Sequence, residues 1–163
     1  MISNSVFKLS VLALGTVALV ACSNSEKKQI AAESYVDWVD PLIGSGGHGH
    51  VFVGASIPHG MIQLGPNNNK KGWDWCSGYH DSDSTIIGFA HTHLSGTGIA
   101  DLGDILLMPA VSVIDSAGYL PSSAYVSTFL KQEELVTTGF YQVKLHPSGV
   151  NVELTAGERV GMH

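Results

Sequence analysis

The sequence predicts an all-β domain over residues 35–163, on three observations. No long segment there carries a helical period, and short apolar runs punctuated by Gly and Pro recur instead. Near the end, two runs alternate strictly. Tyr141, Val143 and Leu145 alternate with Phe140, Gln142, Lys144 and His146; Pro147-Ser148-Gly149 makes a turn; Val150, Val152 and Leu154 then alternate with Asn151, Glu153 and Thr155. Gly157 breaks the run and residues 159–163 read as the start of a third strand, so the pattern is a β-meander. Further strands are expected at 61–64, 86–90, 105–108 and 124–130, with a short helix at 131–135. A chain that stops on a strand leaves a bare edge and an unfilled core, so the sequence is expected to be a fragment of something longer.

Ahead of this domain, residues 6–20 are apolar but for Lys8, Ser10, Gly15 and Thr16, too short a stretch for a membrane-spanning helix. Leu19-Val20-Ala21-Cys22 matches the bacterial lipobox, which makes residues 1–21 a lipoprotein signal peptide and Cys22 the lipidated thiol. The expected location is the bacterial cell envelope, lipid-anchored to the outer membrane and facing the periplasm or the outside. Residues 22–34 are small and polar without an apolar period and read as a tether. With Cys22 lipidated, Cys76 is left without a partner for an intrachain disulfide.

The remaining composition excludes some partners. Charged residues make up 13%, with 8 Lys and Arg against 14 Asp and Glu and a formal charge of −6. Such a chain has no basic stripe to neutralise a phosphate backbone, so nucleic acid is not expected as a partner. Nor is there a polybasic segment for anionic lipid.

Thirteen of the 19 glycines lie between Gly44 and Gly103, with six of the 8 histidines (His48, His50, His59, His80, His91 and His93). Loops of this composition are where sites are built on a strand scaffold. In Gly72-Trp73-Asp74-Trp75-Cys76-Ser77-Gly78-Tyr79-His80, the two indoles project on one side if the run is extended, and lie within reach of one pocket if it is a loop. An indole face stacks on the C–H face of a sugar while Asp, His and Tyr bond its hydroxyls; the same tryptophans would equally fill a core between sheets.

The pairs His48-Gly49-His50 and His91-Thr92-His93 have a spacing that binds zinc when a third ligand comes from elsewhere. No His-Glu-x-x-His or Cys-x-x-Cys accompanies them, and hydrogen-bonding or core histidines account for the pairs without a metal. Gly44-Ser45-Gly46-Gly47 lacks the Lys-Ser/Thr of a P-loop. Asp81, Asp83, Asp101 and Asp104 raise the question of a glycosidase acid pair, although Asp-rich loops also cap turns. Asp81-Ser82-Asp83-Ser84 lacks the glycine and terminal Glu of an EF-hand loop, and neither Ser77 nor Ser95 sits in a Gly-x-Ser-x-Gly elbow.

Several stretches in order resemble glycoside hydrolase family 92. They are Asp40-Pro41-Leu42-Ile43-Gly44-Ser45-Gly46-Gly47-His48-Gly49-His50; Pro58-His59-Gly60-Met61-Ile62-Gln63-Leu64-Gly65-Pro66; Trp73-Asp74-Trp75-Cys76-Ser77-Gly78-Tyr79-His80; and Ile87-Gly88-Phe89 through His91-Thr92-His93-Leu94-Ser95-Gly96-Thr97-Gly98 to Asp101-Leu102-Gly103-Asp104. The resemblance implies a calcium-dependent, inverting, exo-acting α-mannosidase of a bacterium that forages on mannose-rich glycans. It also implies that residues 35–163 are a partial N-terminal β-sandwich, and that an (α/α)₆ domain absent here bears the general acid, the general base and most calcium contacts. No catalytic residue and no metal ligand is therefore carried over to this chain. By position, the resemblance assigns mannose contacts to Trp73, Asp74, Trp75, Cys76 and Tyr79, supported by the loops of His48, His91 and His93. Two other readings use the same residues: a stand-alone carbohydrate-binding lipoprotein built on the aromatic platform, and a zinc hydrolase built on the histidine pairs.

Overall fold

The computed structural model describes residues 34–100, 103–111 and 125–163. The segments expected as signal peptide and tether, with Cys22 and up to residue 33, and Asp101 lie outside the described residues. Among those described, the strands are β1 (Ala55–Ser56), β2 (Gln63–Asn67), β3 (Thr85–Ile86), β4 (Gly88–Ala90), β5 (Ser127–Thr128), β6 (Glu134–Thr137), β7 (Phe140–Lys144), β8 (Asn151–Ala156) and β9 (Gly161–Met162). They form three antiparallel sheets ordered β1-β2-β4, β3-β5 and β6-β7-β8-β9, and Tyr35–His163 is one unit.

The meander follows directly from its alternation. Tyr141 and Val143 in β7, Leu145 just beyond it, and Val152, Leu154 and Ala156 in β8 are buried, while their sequence neighbours face the other side. The register sets Tyr141 opposite Leu154 and Val143 opposite Val152, so a slip of one residue would turn this whole set outward. Each buried Val or Leu side chain among these contributes about 1.5–3 kcal/mol. At the β7–β8 turn, Leu145 N–H donates to Val150 at 2.8 Å and Gly149, with φ 73°, donates to Leu145 at 2.8 Å.

The inner face of the meander packs on β1 and β2, and Val53, Ala55, Leu64, Ile86, Phe89 and Phe129 complete the core between the layers. Phe89 and Tyr141 meet across it with ring centroids 6.4 Å apart. The Glu134 side chain is covered beside this core. Glu134 accepts from Tyr79 Oη at 2.9 Å and Tyr141 Oη at 2.8 Å and pairs with Lys131 at 3.4 Å. Burial first, and then the charge of Glu134, push both phenols well above their ordinary value, so they remain donors.

Where the structure departs from the sequence expectation, tertiary pairing decides. The strand expected at 61–64 is displaced to β2. The run expected as one strand at 86–90 is two, because the chain changes partner at Ile87: β3 pairs with β5 and β4 with β2. Residues 105–108 form no strand; Ile105 takes φ 54°, and Leu107 alone makes a bridge, to Phe89. Within 124–130 the strand is Ser127–Thr128. The helix expected at 131–135 shrinks to a single 3₁₀ turn, Lys131–Glu133, because Glu134 onward pairs with β7. β6 itself escapes sequence reading, since Leu135 is 49% exposed and its alternation is not an apolar one. The third meander strand, expected at 159–163, is Gly161–Met162.

Candidate functional site

Two loops carry most of the predicted site residues. In the first, Ser45 N–H donates to Leu42 and Val51 N–H to Gly44 at 3.1 Å, folding residues 42–51 into a tight turn. A side chain at Gly49 would lie 2.1 Å from the Gly44 carbonyl oxygen. The turn leaves His48 exposed and His50 buried, the latter with φ 54°. In the second loop, Trp73–Trp75 is one 3₁₀ turn, closed by Cys76 N–H on the Trp73 carbonyl at 3.0 Å. Because the run is a turn and not extended, its successive side chains enter different surroundings.

Trp73 is 60% exposed, with Nε1–H donating to the Gly98 carbonyl at 2.7 Å and its ring edge-on to His50 at 4.2 Å. Beside it, Asp74 Oδ1 lies 2.6 Å from His48 Nδ1 and 3.3 Å from His50 Nε2. The His48 hydrogen bond, opposed by burial and joined by that of His50, holds the Asp74 carboxyl below its ordinary value.

Trp75 faces elsewhere. Its Nε1–H donates to Asp83 Oδ2 at 2.8 Å and its ring stacks on His80 at 4.3 Å and 21°. Asp83 is fully buried and accepts further bonds from Lys71 Nζ at 2.9 Å, Ser84 N at 2.8 Å, and Thr85 N and Oγ1 at 3.0 and 2.8 Å. Burial alone would push this carboxyl up, but the donors Lys71, Thr85 and Trp75 outweigh it and hold it at about 2. His80 is fixed in turn: Nε2–H donates to the Gly47 carbonyl at 3.2 Å, which leaves Nδ1 to accept from Ser82 Oγ at 2.8 Å. A chain of contacts, two hydrogen bonds and one ring stack, runs from the first loop through His80 and Trp75 to Asp83 and makes the indole a rigid wall.

That wall borders a cleft of about 340 Å³ lined by Asn67, Lys70, Trp75, Cys76, His93 and Gly103, among others. His93 Nδ1–H donates to the Gln63 carbonyl at 2.8 Å, and Nε2 lies 2.9 Å from Asn67 Oδ1. Burial holds the His93 ring below its ordinary value, opposed by the Gln63 bond; with Nδ1 donating to Gln63, a neutral ring leaves Nε2 as an acceptor, which requires the Asn67 amide to present its NH₂ in place of the oxygen. Gly78 is necessary here: it has φ 90°, and a Cβ would stand 2.7 Å from His93 Cδ2.

Of the residues assigned mannose contacts by position, the structure gathers Trp75, Cys76 and His93 at the cleft, and Trp73, Asp74 and His48 in a separate cluster. Two stand apart. Tyr79 is 1% exposed in the core, its hydroxyl engaged by Glu134 and Lys131. His91 faces His163, Nε2 to Nε2 at 3.3 Å, and its Nδ1 is buried with no partner among the described residues. Asn67 and Lys70 lie in a run, Asn67-Asn68-Asn69-Lys70, that sequence reasoning passed over. Asn68 is spent on structure, donating to the Thr85 carbonyl at 2.6 Å and accepting from His80 N at 2.6 Å. His50 stands in the His-x-His spacing, and the structure buries it 3.3 Å from Asp74.

Among the described residues, His48, His50 and Asp74 bring three metal-ligating groups together. Two imidazole nitrogens and one carboxylate oxygen do not fit calcium, which takes six to eight oxygen ligands. Nor do Asp81 and Asp83 provide an oxygen cage, because the Asp83 carboxylate is filled by protein donors.

Comparison with known proteins places the fold. A sequence model described as the glycosyl hydrolase family 92 N-terminal domain matches residues 38–163. A solved family GH92 α-mannosidase from Bacteroides thetaiotaomicron, in complex with mannoimidazole, is 38% identical, with a TM-score of 0.71 over 79% of this chain and 17% of its own. A family GH92 inverting mannosidase from the same organism is 27% identical, with a TM-score of 0.58 over 78% of this chain and 17% of its own. An uncharacterized secreted glycosidase of Arthroderma benhamiae is 29% identical over 133 residues, 77% of this chain and 16% of the relative. The chain thus spans less than a fifth of the length of each of these proteins.

Proposed function

The chain belongs to glycosyl hydrolase family 92, as its N-terminal domain, and from that premise we propose that it forms the sugar-orienting part of an exo-acting, inverting α-mannosidase held in the bacterial envelope by lipid on Cys22. The observation that carries the reading is the cleft beside Trp75. Its indole cannot swing, being tied to Asp83 and stacked on His80. Asn67, Lys70 and neutral His93 supply polar groups around it. A fixed aromatic wall with a few convergent polar groups is what an uncharged sugar ring needs: the indole covers C–H surface, and the amides and imidazole select hydroxyl directions. Trp73 adds a second, exposed indole held at Gly98.

In this proposal hydrolysis is a single displacement, in which a carboxylic acid protonates the leaving oxygen while a carboxylate activates water on the opposite ring face. Both carboxyl groups, and the calcium implied by the family resemblance, would belong to protein beyond this chain. The residues present here bind and orient, so their loss weakens transition-state binding without removing the acid–base pair.

The test is made on the protein encoded when the reading frame is followed past residue 163. The first sugar released from a methyl α-mannoside, followed by proton NMR, should be the β anomer, and Trp75→Ala should lower kcat/KM by about tenfold to a hundredfold. Release of the α anomer first, or unchanged kinetics in W75A, would overturn the reading.

A further inference from the structure

We propose that His48, His50 and Asp74 form a binding site for a divalent transition metal, with zinc its representative. The site shares His48, Asp74 and the adjoining Trp73 with the sugar reading, but it needs no carbohydrate to be observed. Its three donor atoms, two imidazole nitrogens and one carboxylate oxygen, lie within 4.8 Å of one another. In a tetrahedral zinc site with bonds of 2.0–2.1 Å, neighbouring donor atoms are about 3.3 Å apart. His50 Nε2 is already 3.3 Å from Asp74 Oδ1. His48 Nδ1, at 2.6 Å, must retreat by about 0.7 Å, which its 77% exposed side chain is free to do.

The surroundings hold the inner ligands in place. His50 sits in a backbone conformation with φ 54°, its carbonyl accepts from Gly96 N–H at 2.6 Å, and its ring is packed by Trp73 at 4.2 Å. Trp73 is itself pinned by Gly98, whose backbone comes so close that a Cβ there would lie 3.1 Å from the Trp73 ring and 3.2 Å from His50 Nδ1. Asp74 is set by the 3₁₀ turn of Trp73–Trp75. One ligand is exposed and two are held by their surroundings, and the exposed side beside His48 leaves a fourth position for water or another donor. The nitrogen-rich set selects zinc, nickel or cobalt over calcium and magnesium, which require oxygen.

The experiment is calorimetric titration of the chelator-stripped full chain with zinc chloride, and separately with calcium chloride. One zinc per chain in the micromolar range or tighter is expected, with no calcium heat. His48→Ala and Asp74→Asn should each weaken zinc at least about a hundredfold, since removing a ligand costs more than removing its supporting partner. His48 is exposed, so an unchanged metal-free urea midpoint in H48A separates ligand loss from misfolding. Cobalt(II) offers a second readout, because tetrahedral coordination produces visible absorption bands that H48A should abolish. Absence of stoichiometric zinc, equal affinity for calcium, or wild-type zinc affinity in both H48A and D74N would overturn the assignment.

Discussion

Replacing Asp83 by Asn tests whether one buried carboxylate holds the wall of the cleft. Five donors converge on Asp83: Trp75 Nε1 and Lys71 Nζ on Oδ2, and Ser84 N, Thr85 N and Thr85 Oγ1 on Oδ1. They hold the carboxyl at about 2 against an ordinary 3.8. That difference is worth roughly 2 kcal/mol at neutral pH, reduced to ~1–2 because Lys71 is half exposed and screened. Asn can keep the Oδ1 bonds, but it then turns an NH₂ toward the Trp75 N–H and the Lys71 ammonium, donor against donor. An orphaned buried donor costs about 1–3 kcal/mol, so D83N should lose about 2–5 kcal/mol in all. The pH dependence has a definite sign. The folded carboxyl lies below the unfolded one, so the unfolded chain takes up its proton first as pH falls. The stabilisation is full above about pH 4 and is lost as pH falls through about 2. Urea unfolding of wild type and D83N at about pH 7, 5 and 3, read by tryptophan fluorescence and far-UV circular dichroism, measures both effects. A difference under about 0.5 kcal/mol at neutral pH, or a gap that widens on acidification, would refute the reasoning.

Two further outcomes follow from the same loops. Gly78→Ala should destabilise by about 2 kcal/mol or more, since φ 90° strains any side chain and the new methyl would press on the His93 ring; an unchanged melting temperature would show that the loop yields without cost. His93 should show no ring titration by NMR through its ordinary 6.5, because burial keeps it neutral. The unfolded chain then protonates this ring first, so its contribution falls as pH drops below about 6.5, and a His93 resonance that titrates normally would contradict its burial.

The sequence disclosed those parts of the fold where one physical signal dominates. In β7 and β8 the alternation is set by a single buried face, so Tyr141, Val143, Val152 and Leu154 could be assigned inward from the residue order alone. β6 was hidden because its partner supplies the reason for it: Glu134 belongs to the strand through its ladder with β7 and its bonds to Tyr79 and Tyr141, none of which has a local signature. The site residues behave alike. Composition pointed to the Gly- and His-rich loops, but nothing local distinguishes Tyr79 from a surface tyrosine: it is Glu134, 55 residues away, that accepts its hydroxyl. His50 was separable from His48 only through the tight turn that buries one and exposes the other.

That division has a consequence for Trp73, Asp74 and Trp75. Had the segment been extended, both indoles would share a face and Asp74 would point away. As a 3₁₀ turn it sends Trp73 and Asp74 to His48 and His50, and Trp75 to His80 and Asp83. The two centres are joined at both ends: Gly47, whose carbonyl fixes His80, directly precedes His48. A change in the position of His48 is therefore passed to the Trp75 wall through one peptide and one hydrogen bond. If zinc draws His48 outward, the Gly47 carbonyl is the group that must move with it, and the tryptophan fluorescence of the metal-loaded chain should differ from that of the stripped one. Such a change in wild type that vanishes in H48A would place both centres on one mechanical element; a spectrum indifferent to bound zinc would show that the turn isolates them.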